Sequence, residues 1–182
     1  QAPLSAPLLA PLSWERMLPS GLAHVVLRLS GPPLTMLSAH GTGPAQVLRR
    51  GIVGGPRTSA YIKEVADAET VGAAPTAGAT LALLGVPGRQ LAERHAPLDD
   101  VLGRVTERWC DELAGLPSGH ARAQRFEALL LGRLRESVSP PVVRHAIARF
   151  SDSHATVSVS EVVRESGYSH RRFISLFEES TG

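Results

Sequence analysis

Apolar positions near the end of the chain recur at the spacing of two short helices. They are Val159, Val162, Val163, Phe173, Leu176 and Phe177. The first run stops at Gly167, the residue type best able to take the left-handed conformation that ends a helix. We therefore predict one helix from near Val159 to Gly167 and a second after Ser169, with both apolar stripes facing one core.

Polar residues at the predicted helix starts support these two elements. Ser158 and Glu161 have the spacing of a capping box, in which each side chain accepts a hydrogen bond from the other residue's amide. Ser169 is a second N-cap candidate, and Tyr168 is expected to be an apolar anchor in the turn. The pattern predicts a helix-turn-helix arrangement.

The other face of the second helix carries polar and cationic candidates for ligand contact. Its residues are His170, Arg171, Arg172, Ile174, Ser175 and Glu178. In a helix-turn-helix the second helix lies in the major groove, and its N-terminal residues meet base edges. Arg171 is our candidate for a base, because its planar fork can pair with two acceptors of guanine. His170, Arg172 and the helix-start amides suit phosphates. The alternative is a solvated helical hairpin in a bundle.

A supporting helix is predicted upstream, starting at Ser139-Pro140-Pro141, since proline is tolerated in a first turn where no amide partner is needed. Its apolar positions at helical spacing are Val143, Ala146, Ile147 and Phe150, and the run ends at residues 152–154. A lone core rarely suffices below about 40 residues, and residues 139–182 are close to that size. We expect this unit to pack against the rest of the chain or a partner.

The first half of the chain has the pattern of β-strands. Short apolar runs cover residues 23–29 and 34–37, and further runs within residues 46–65 are broken by glycine and proline. The opening residues, up to Trp14, are interrupted by proline and lack a basic leader. They are expected to form an extended arm rather than a signal peptide.

Helical spacing takes over at about Ala79, with a short helix to Leu84 and a further piece over residues 87–95. A long amphipathic stripe follows at Leu98, Val101, Leu102, Val105, Trp109 and Leu113. Another consists of Ala123, Phe126, Leu130 and Leu134. The sequence thus predicts an α+β protein with strands first, and the helix over residues 98–113 offers a surface for a homodimer.

The C-terminal motif resembles the first helix-turn-helix of the AraC/XylS transcription regulators. The shared pattern is Gly-Tyr-Ser at residues 167–169, an apolar residue four after the serine, a Phe eight after it and a closing Gly. The DNA-contacting residues that the resemblance implies are Ser169, His170, Arg171, Arg172, Ile174 and Ser175, with Arg171, Ile174 and Ser175 toward the bases. Val163 stands where the family usually has alanine, and Ser175 where it often has a basic residue. The family has two such units, and this sequence ends before the second.

The front half resembles the cupin-like N-terminal domain of many bacterial AraC-type regulators. The motifs that carry this resemblance are residues 14–21, 24–27, 53–56, 83–87 and 97–99. Together the two resemblances imply three regions: a β-rich sensory domain over residues 1–97, a helical linker with a dimerisation role over 98–138, and the first helix-turn-helix subdomain over 139–182. They also imply double-stranded DNA and a small-molecule effector as partners.

Polar residues in the strand region are candidates for an effector pocket. His24, Arg28 and Tyr61 are the effector-binding candidates, and His40 and Arg57 could line the same pocket. A hydrogen-bonded structural role for each histidine, and a surface ion pair for Arg28, are the alternatives. The histidines lack the close spacing with a carboxylate that a metal site needs, so no metal or other cofactor is expected. No nucleophile elbow, phosphate-binding loop or metal-spaced His-Glu pair supports catalysis, so we do not expect an enzyme.

Amino-acid composition gives only limited information about the kinds of partner that the protein binds. The 182 residues carry a net charge of +2, and residues 120–182 hold this excess as nine Arg against seven acidic residues. Cys110 is the only cysteine, which favours a reducing, cytoplasmic compartment and a core position beside Trp109. No apolar run approaches the roughly 18 residues that span a bilayer, so no membrane partner is expected.

Two hypotheses from different classes follow. The first is a sequence-specific DNA-binding transcription regulator that responds to a small-molecule effector. The second is a small-molecule-binding or metal-dependent cupin-like protein whose C-terminal helices serve only for packing. Binding to DNA separates the two.

Overall fold

A computed structural model describes residues 13–38, 44–135, 139–152 and 156–182, and it has the mixed α+β composition that the sequence predicts. The strands are β1 Ser13–Met17, β2 His24–Arg28, β3 Leu34–Ser38, β4 Gln46–Leu48, β5 Gly51–Gly54, β6 Tyr61–Val65, β7 Thr70–Ala73 and β8 His95–Pro97. The helices are α1 Thr80–Leu84, α2 Gly88–Leu91, α3 Leu98–Leu102, α4 Thr106–Ala114, α5 Gly119–Leu131, α6 Pro141–Ser151, α7 Val159–Ser166 and α8 His170–Thr181.

The strands form two antiparallel four-stranded sheets, in the orders β1-β6-β3-β4 and β7-β2-β5-β8. Successive side chains of a strand point to opposite faces of its sheet. In β2, Val25 and Leu27 are fully buried in the main core, whereas His24, Val26 and Arg28 face the space between the sheets. The second sheet therefore has a helix-covered face and a face that looks toward the first sheet.

The main core lies between the second sheet and the helices α1 and α3–α5. Trp109 of α4 and Phe126 of α5 are almost completely buried, and their rings meet edge to face at 6.3 Å. Cys110 is fully buried beside them, as predicted from its apolar face. Leu130 is buried as well, but two residues of the same predicted stripe are exposed: Leu134, which lies beyond the end of α5 at Leu131, and Ala123, which lies within α5.

The stripe predicted over residues 98–113 is not one helix. It divides into α3 and α4 at Gly103, which has φ 74°, a conformation that favours glycine. The carboxylate of Asp99 then accepts from the amides of Val105 and Thr106 at 3.1 and 3.0 Å and caps α4. The apolar positions of both helices lie in the main core, so this stripe is not the free dimerisation surface that was expected.

Three strands differ from the sequence-based prediction. Ser13 and Trp14, expected at the end of an extended arm, belong to β1, which pairs with β6. Strand β7, which the sequence did not predict, pairs with β2. Strand β8 pairs with β5 and begins at His95, the last residue of the helical piece predicted over residues 87–95. These pairings join segments far apart in the chain, which local patterns do not reveal. Within the described ranges, no helix is both long and apolar enough to span a membrane.

Helices α6, α7 and α8 share a second core built on Ala146, Val162, Val163 and Phe173. This unit does not stand apart. Helix α8 packs along α2 and touches α1, and Ile147 of α6 lies against Gly78. The expectation that residues 139–182 pack against the rest of the chain is confirmed.

Asp99→Ala should lower the free energy of unfolding by about 1 to 2 kcal/mol, because α4 loses its cap. Asp100→Ala is the matched control, since both acidic residues lie in the first turn of α3 but Asp100 is exposed. Urea denaturation of the two variants measures the difference. Equal losses would contradict the capping role.

Candidate functional site

The two C-terminal helices begin and end where the sequence predicts. The Ser158 hydroxyl accepts from the Glu161 amide at 3.2 Å, and the Glu161 carboxylate accepts from the Ser158 amide at 2.7 Å. Gly167 ends α7 in the left-handed conformation with φ 70°. Ser169 caps α8 by accepting from the Arg172 amide at 3.4 Å. Local hydrogen bonds therefore determine the angle at which the chain enters α8.

Aromatic packing holds α8 against its neighbours. Phe173 is buried and its ring stacks on that of Phe177 at 6.0 Å, while Phe150 of α6 meets Phe177 edge to face at 5.9 Å. Tyr168 is 47% exposed and Val159 is 45% exposed. The expectation that Tyr168 anchors the turn in the core is wrong, because the turn bonds through the Ser166 hydroxyl instead, which accepts from the Tyr168 amide.

The first turns of α8 present a cationic surface. The exposed residues of the predicted DNA-contacting set are Ser169, His170, Arg171, Arg172 and Ser175. Ile174 differs, because its side chain is half-buried against the second core and is not free on that face. The side chains of Arg171 and Arg172 make no ion pair with any described residue, so their charges are available to a partner.

An ion-pair cluster joins α6 to α7 behind that surface. Both oxygens of the Glu165 carboxylate accept from the Arg149 guanidinium, at 3.2 and 3.1 Å, and His145 Nε2 lies 3.0 Å away. The hydrogen bond to His145, followed by those to Arg149, lowers the pKa of Glu165. The Glu165 carboxylate is thus ionised and already paired with Arg149 and His145. It therefore reduces the positive potential at the start of α8 less than an unpaired carboxylate would.

The C-terminal end of α8 rests on the β-rich part of the chain. Arg89 of α2 pairs with Glu179 at 2.9 Å. A Cβ at Gly88 would lie 2.6 Å from the carbonyl carbon of Thr181, so the two backbones pack with no room for a side chain. Gly182 packs against Pro56. Helix α8 therefore has a free cationic start and an anchored end.

A cavity of about 550 Å³ lies between the two sheets. The three effector-binding candidates all line it: His24 and Arg28 are at the two ends of β2, and Tyr61 is on β6 of the other sheet. Arg57, Lys63 and His95 also line it. No Asp or Glu is among its described lining residues, so three cationic side chains face one largely apolar space.

Arg28 forms no ion pair with any described residue, contrary to the alternative of a surface ion pair. Its side chain is only 9% exposed, and its Nε and Nη2 donate to the Pro32 carbonyl at 3.0 and 2.7 Å. A neutral carbonyl satisfies these donors without cancelling the charge. Arg28 therefore contributes its full positive charge to one end of the cavity.

A network of side chains forms the other end of the cavity. The Arg57 guanidinium lies over the Tyr61 ring at 5.0 Å, donates to the Glu93 carbonyl at 3.1 Å and approaches His95 Nδ1 at 3.3 Å. The Glu93 carboxylate accepts from the hydroxyls of Ser59 and Thr58 and from the Thr58 amide. These bonds, that from Ser59 first, lower the pKa of Glu93 to about 2. The network fixes Arg57 at the cavity wall.

His95 is the most unusual residue in this network. It is only 8% exposed, and burial, then His24, then Arg57 lower its pKa to about 4. Burial and Arg57 also lower the pKa of His24, so both rings are neutral near pH 7. Arginine can only donate, so His95 Nδ1 accepts and the ring proton is on Nε2. That Nε2–H is buried and has no hydrogen-bond partner in the described structure.

Sequence patterns identify only part of this cavity. His95 and Lys63 were not among the candidates. His95 reaches the cavity only because β8 pairs with β5, and a three-residue strand that ends in proline gives no strand signal. Lys63 faces inward because of the register of β6, which pairs it with Met36 of β3. His40 lies outside the described residues.

No family model matches the chain, and no curated protein or solved structure is significantly similar to it. The described part of the chain also holds no group of three His, Cys, Asp or Glu side chains placed to bind a metal ion. Functional inference therefore depends on the geometry of the α8 surface and of the cavity.

Because His95 is buried in its neutral form, the free energy of unfolding should decrease as the pH falls. Its folded pKa of about 4 lies below the ordinary 6.5, so the unfolded chain takes up the proton first as the pH drops. Stability from this group is complete above pH 6.5 and is lost progressively between pH 6.5 and 4. Urea denaturation between about pH 8 and about pH 5 should show a smaller loss for His95→Phe than for the wild type. Identical pH profiles would show that His95 is not held neutral.

Proposed function

We propose that this protein is a sequence-specific DNA-binding transcription regulator that responds to a small molecule. The observation that carries the proposal is the exposed, unpaired cationic start of α8, held at a defined angle by two N-caps and the α6–α8 core. Arg171 and Arg172 there suit base and phosphate acceptors. The resemblance to AraC-type regulators agrees with this assignment.

The anchored end of α8 supplies a route from a ligand to DNA. Pro56, which packs against Gly182, directly precedes Arg57 of the cavity wall. Helix α2, which packs against residues 180–182, directly precedes the segment that carries Glu93 and His95. A ligand that shifts this wall changes the position of α8 and so shifts the population of DNA-competent molecules.

A second candidate function is a small-molecule-binding protein whose C-terminal helices only pack. The cavity favours it, since its volume falls in the range of about 300 to 1,000 Å³ typical of ligand sites. The net charge of +2 also favours it, because DNA-binding domains commonly carry a larger excess of positive charge. Ligand binding by a protein that never binds DNA would favour this candidate.

Arg171→Ala should reduce affinity for cognate DNA by about 1 to 3 kcal/mol and change affinity for random DNA much less. The cognate sequence is first obtained by selection from a random double-stranded pool, and affinities are then measured by fluorescence anisotropy. Arg172→Ala should lower the affinity for cognate and for random DNA by similar factors, because a phosphate contact carries no sequence information. Wild-type affinity should fall steeply with added salt.

Arg108→Ala is the matched control, because Arg108 is an exposed arginine on α4, far along the chain from the α8 surface. It should leave both affinities unchanged. Equal loss on cognate and random DNA for Arg171→Ala would refute the base-reading role. Failure of the pool to yield any bound sequence at low salt would refute DNA binding.

Gly88→Ala should displace the end of α8, because the new Cβ would lie within 2.8 Å of three backbone atoms of residues 180–182. We expect faster hydrogen exchange in the last turn of α8, a loss of about 1 to 3 kcal/mol in stability, and a changed DNA affinity. Gly119→Ala is the control, since Gly119 also starts a helix but an alanine Cβ there would have open space around it. Unchanged exchange in α8 would show that this contact does not hold the helix.

A further inference from the structure

The cavity between the sheets is built for a negative charge. Arg28 at one end is nearly buried and pairs with a carbonyl rather than a carboxylate. Lys63 and Arg57 also line the space, and their carboxylate partners Glu15 and Glu93 are not among its lining residues. Lys63 and Arg57 are each paired with a carboxylate, whereas Arg28 has no carboxylate partner among the described residues. Inside a cavity of low dielectric, this net positive charge attracts an anion and repels a cation.

One end of the cavity also holds a donor without an acceptor. The Nε2–H of His95 has no partner, although a buried unpaired donor costs about 1 to 3 kcal/mol. Such a group in a native structure calls for an explanation, and a ligand atom is one. Because Nε2 donates in this tautomer, the missing partner is an acceptor. Tyr61, whose pKa is raised by burial, keeps its hydroxyl proton and packs on the same ring at 4.7 Å.

The rest of the cavity wall is apolar. Met17, Val26, Leu34 and Ile52 line it, and Gly72 and Ala73 of β7, in the same sheet as Val26 and Ile52, add no long side chains. Apolar surface in a cavity is stabilised by an apolar occupant at about 25 cal/mol per Å². A bare inorganic anion would leave this surface wetted, so the occupant needs an apolar part as well as a charge.

We propose that the cavity binds a small organic carboxylate with an apolar body. The carboxylate accepts from His95 Nε2 beside Arg57, and the body lies between the sheets against Val26, Leu34 and Ile52. Because His95 Nε2 is buried, a neighbouring side chain has to move before a ligand can reach it. We assign this movement to His24, whose ring lies 5.3 Å from that of His95 and makes no hydrogen bond among the described residues. The role of this ligand as the effector rests on the proposed regulatory function, whereas its binding does not.

The test uses the protein without DNA and a panel of straight-chain carboxylates from butyrate to dodecanoate, together with benzoate and phenylbutyrate. Isothermal titration calorimetry and thermal unfolding measure binding. At least one carboxylate should bind and raise the melting temperature, whereas its alcohol of equal length should bind about tenfold more weakly or less, since a charged hydrogen bond is lost. Inorganic phosphate should not bind.

Three variants test the contacts. His95→Phe keeps an aromatic ring but removes the donor, and Lys63→Met removes a cation of the cavity lining whose ion-pair partner among the described residues is the exposed Glu15. Each should weaken carboxylate binding about tenfold while the protein stays folded. Arg16→Met is the control, because Arg16 is exposed on β1 and does not line the cavity. It should bind the carboxylate as the wild type does.

The outcomes separate the two proposals. Absence of binding by the whole panel, equal binding of acid and alcohol, or wild-type affinity in both His95→Phe and Lys63→Met would overturn the carboxylate site. If a carboxylate binds but no DNA sequence is selected from the random pool, the carboxylate site is supported and the regulatory function is refuted. Carboxylate binding that alters the affinity for selected DNA supports both.

Discussion

The two-sided strand β2 is the constraint on which both the core and the cavity depend. Val25 and Leu27 are fully buried on its helix side, where α4 packs, and His24 and Arg28 lie on the other side, where the cavity is. Because the side-chain period of a strand is two, one residue of slippage would place both apolar residues in the cavity and would place the neutral His24 and the charged Arg28 in the core. A buried unpaired charge is far more costly than a buried apolar group, so this register is strongly specified. The apolar core on one face thereby fixes the charge of the cavity on the other.

The turn around Glu93 connects that cavity to the C-terminal helices. Glu93 has φ 58°, which costs a residue with a side chain about 1 to 2 kcal/mol. Its amide donates to the Pro56 carbonyl at 3.0 Å, and its carboxylate accepts from Thr58 and Ser59, so several bonds offset that cost. Hydrogen bonds therefore join residues 55–59 to residues 93–95 as a loop pair. Pro56 in that pair is also the surface against which Gly182 packs.

Sequence patterns predict what is determined locally and miss what depends on distant pairing. The capping box at Ser158, the end of α7 at Gly167 and the burial of Phe173 all follow from spacing within one or two helical turns, and the structure contains each. The division of the 98–113 stripe at Gly103 has a local cause, but its signal is weak because glycine is tolerated within helices. His24, Arg28 and Tyr61 were chosen as polar residues in apolar strands, and all three do line one cavity. His95 could not be chosen this way, since only the β5–β8 pairing brings it there.

The same loop pair limits how strongly a ligand can influence α8. A ligand shifts a conformational equilibrium only by the difference between its affinities for the two states. If the proposed ligand binds at His95, its affinity must differ between two positions of α8, and the contacts that could transmit this difference are Pro56 with Gly182 and Gly88 with residues 180–182. Both contacts are between backbones or a proline ring, with no long side chain to absorb a small displacement. Under the proposed regulatory function, we expect a shift of the cavity wall at Arg57 or His95 to displace the end of α8 and with it the cationic first turns.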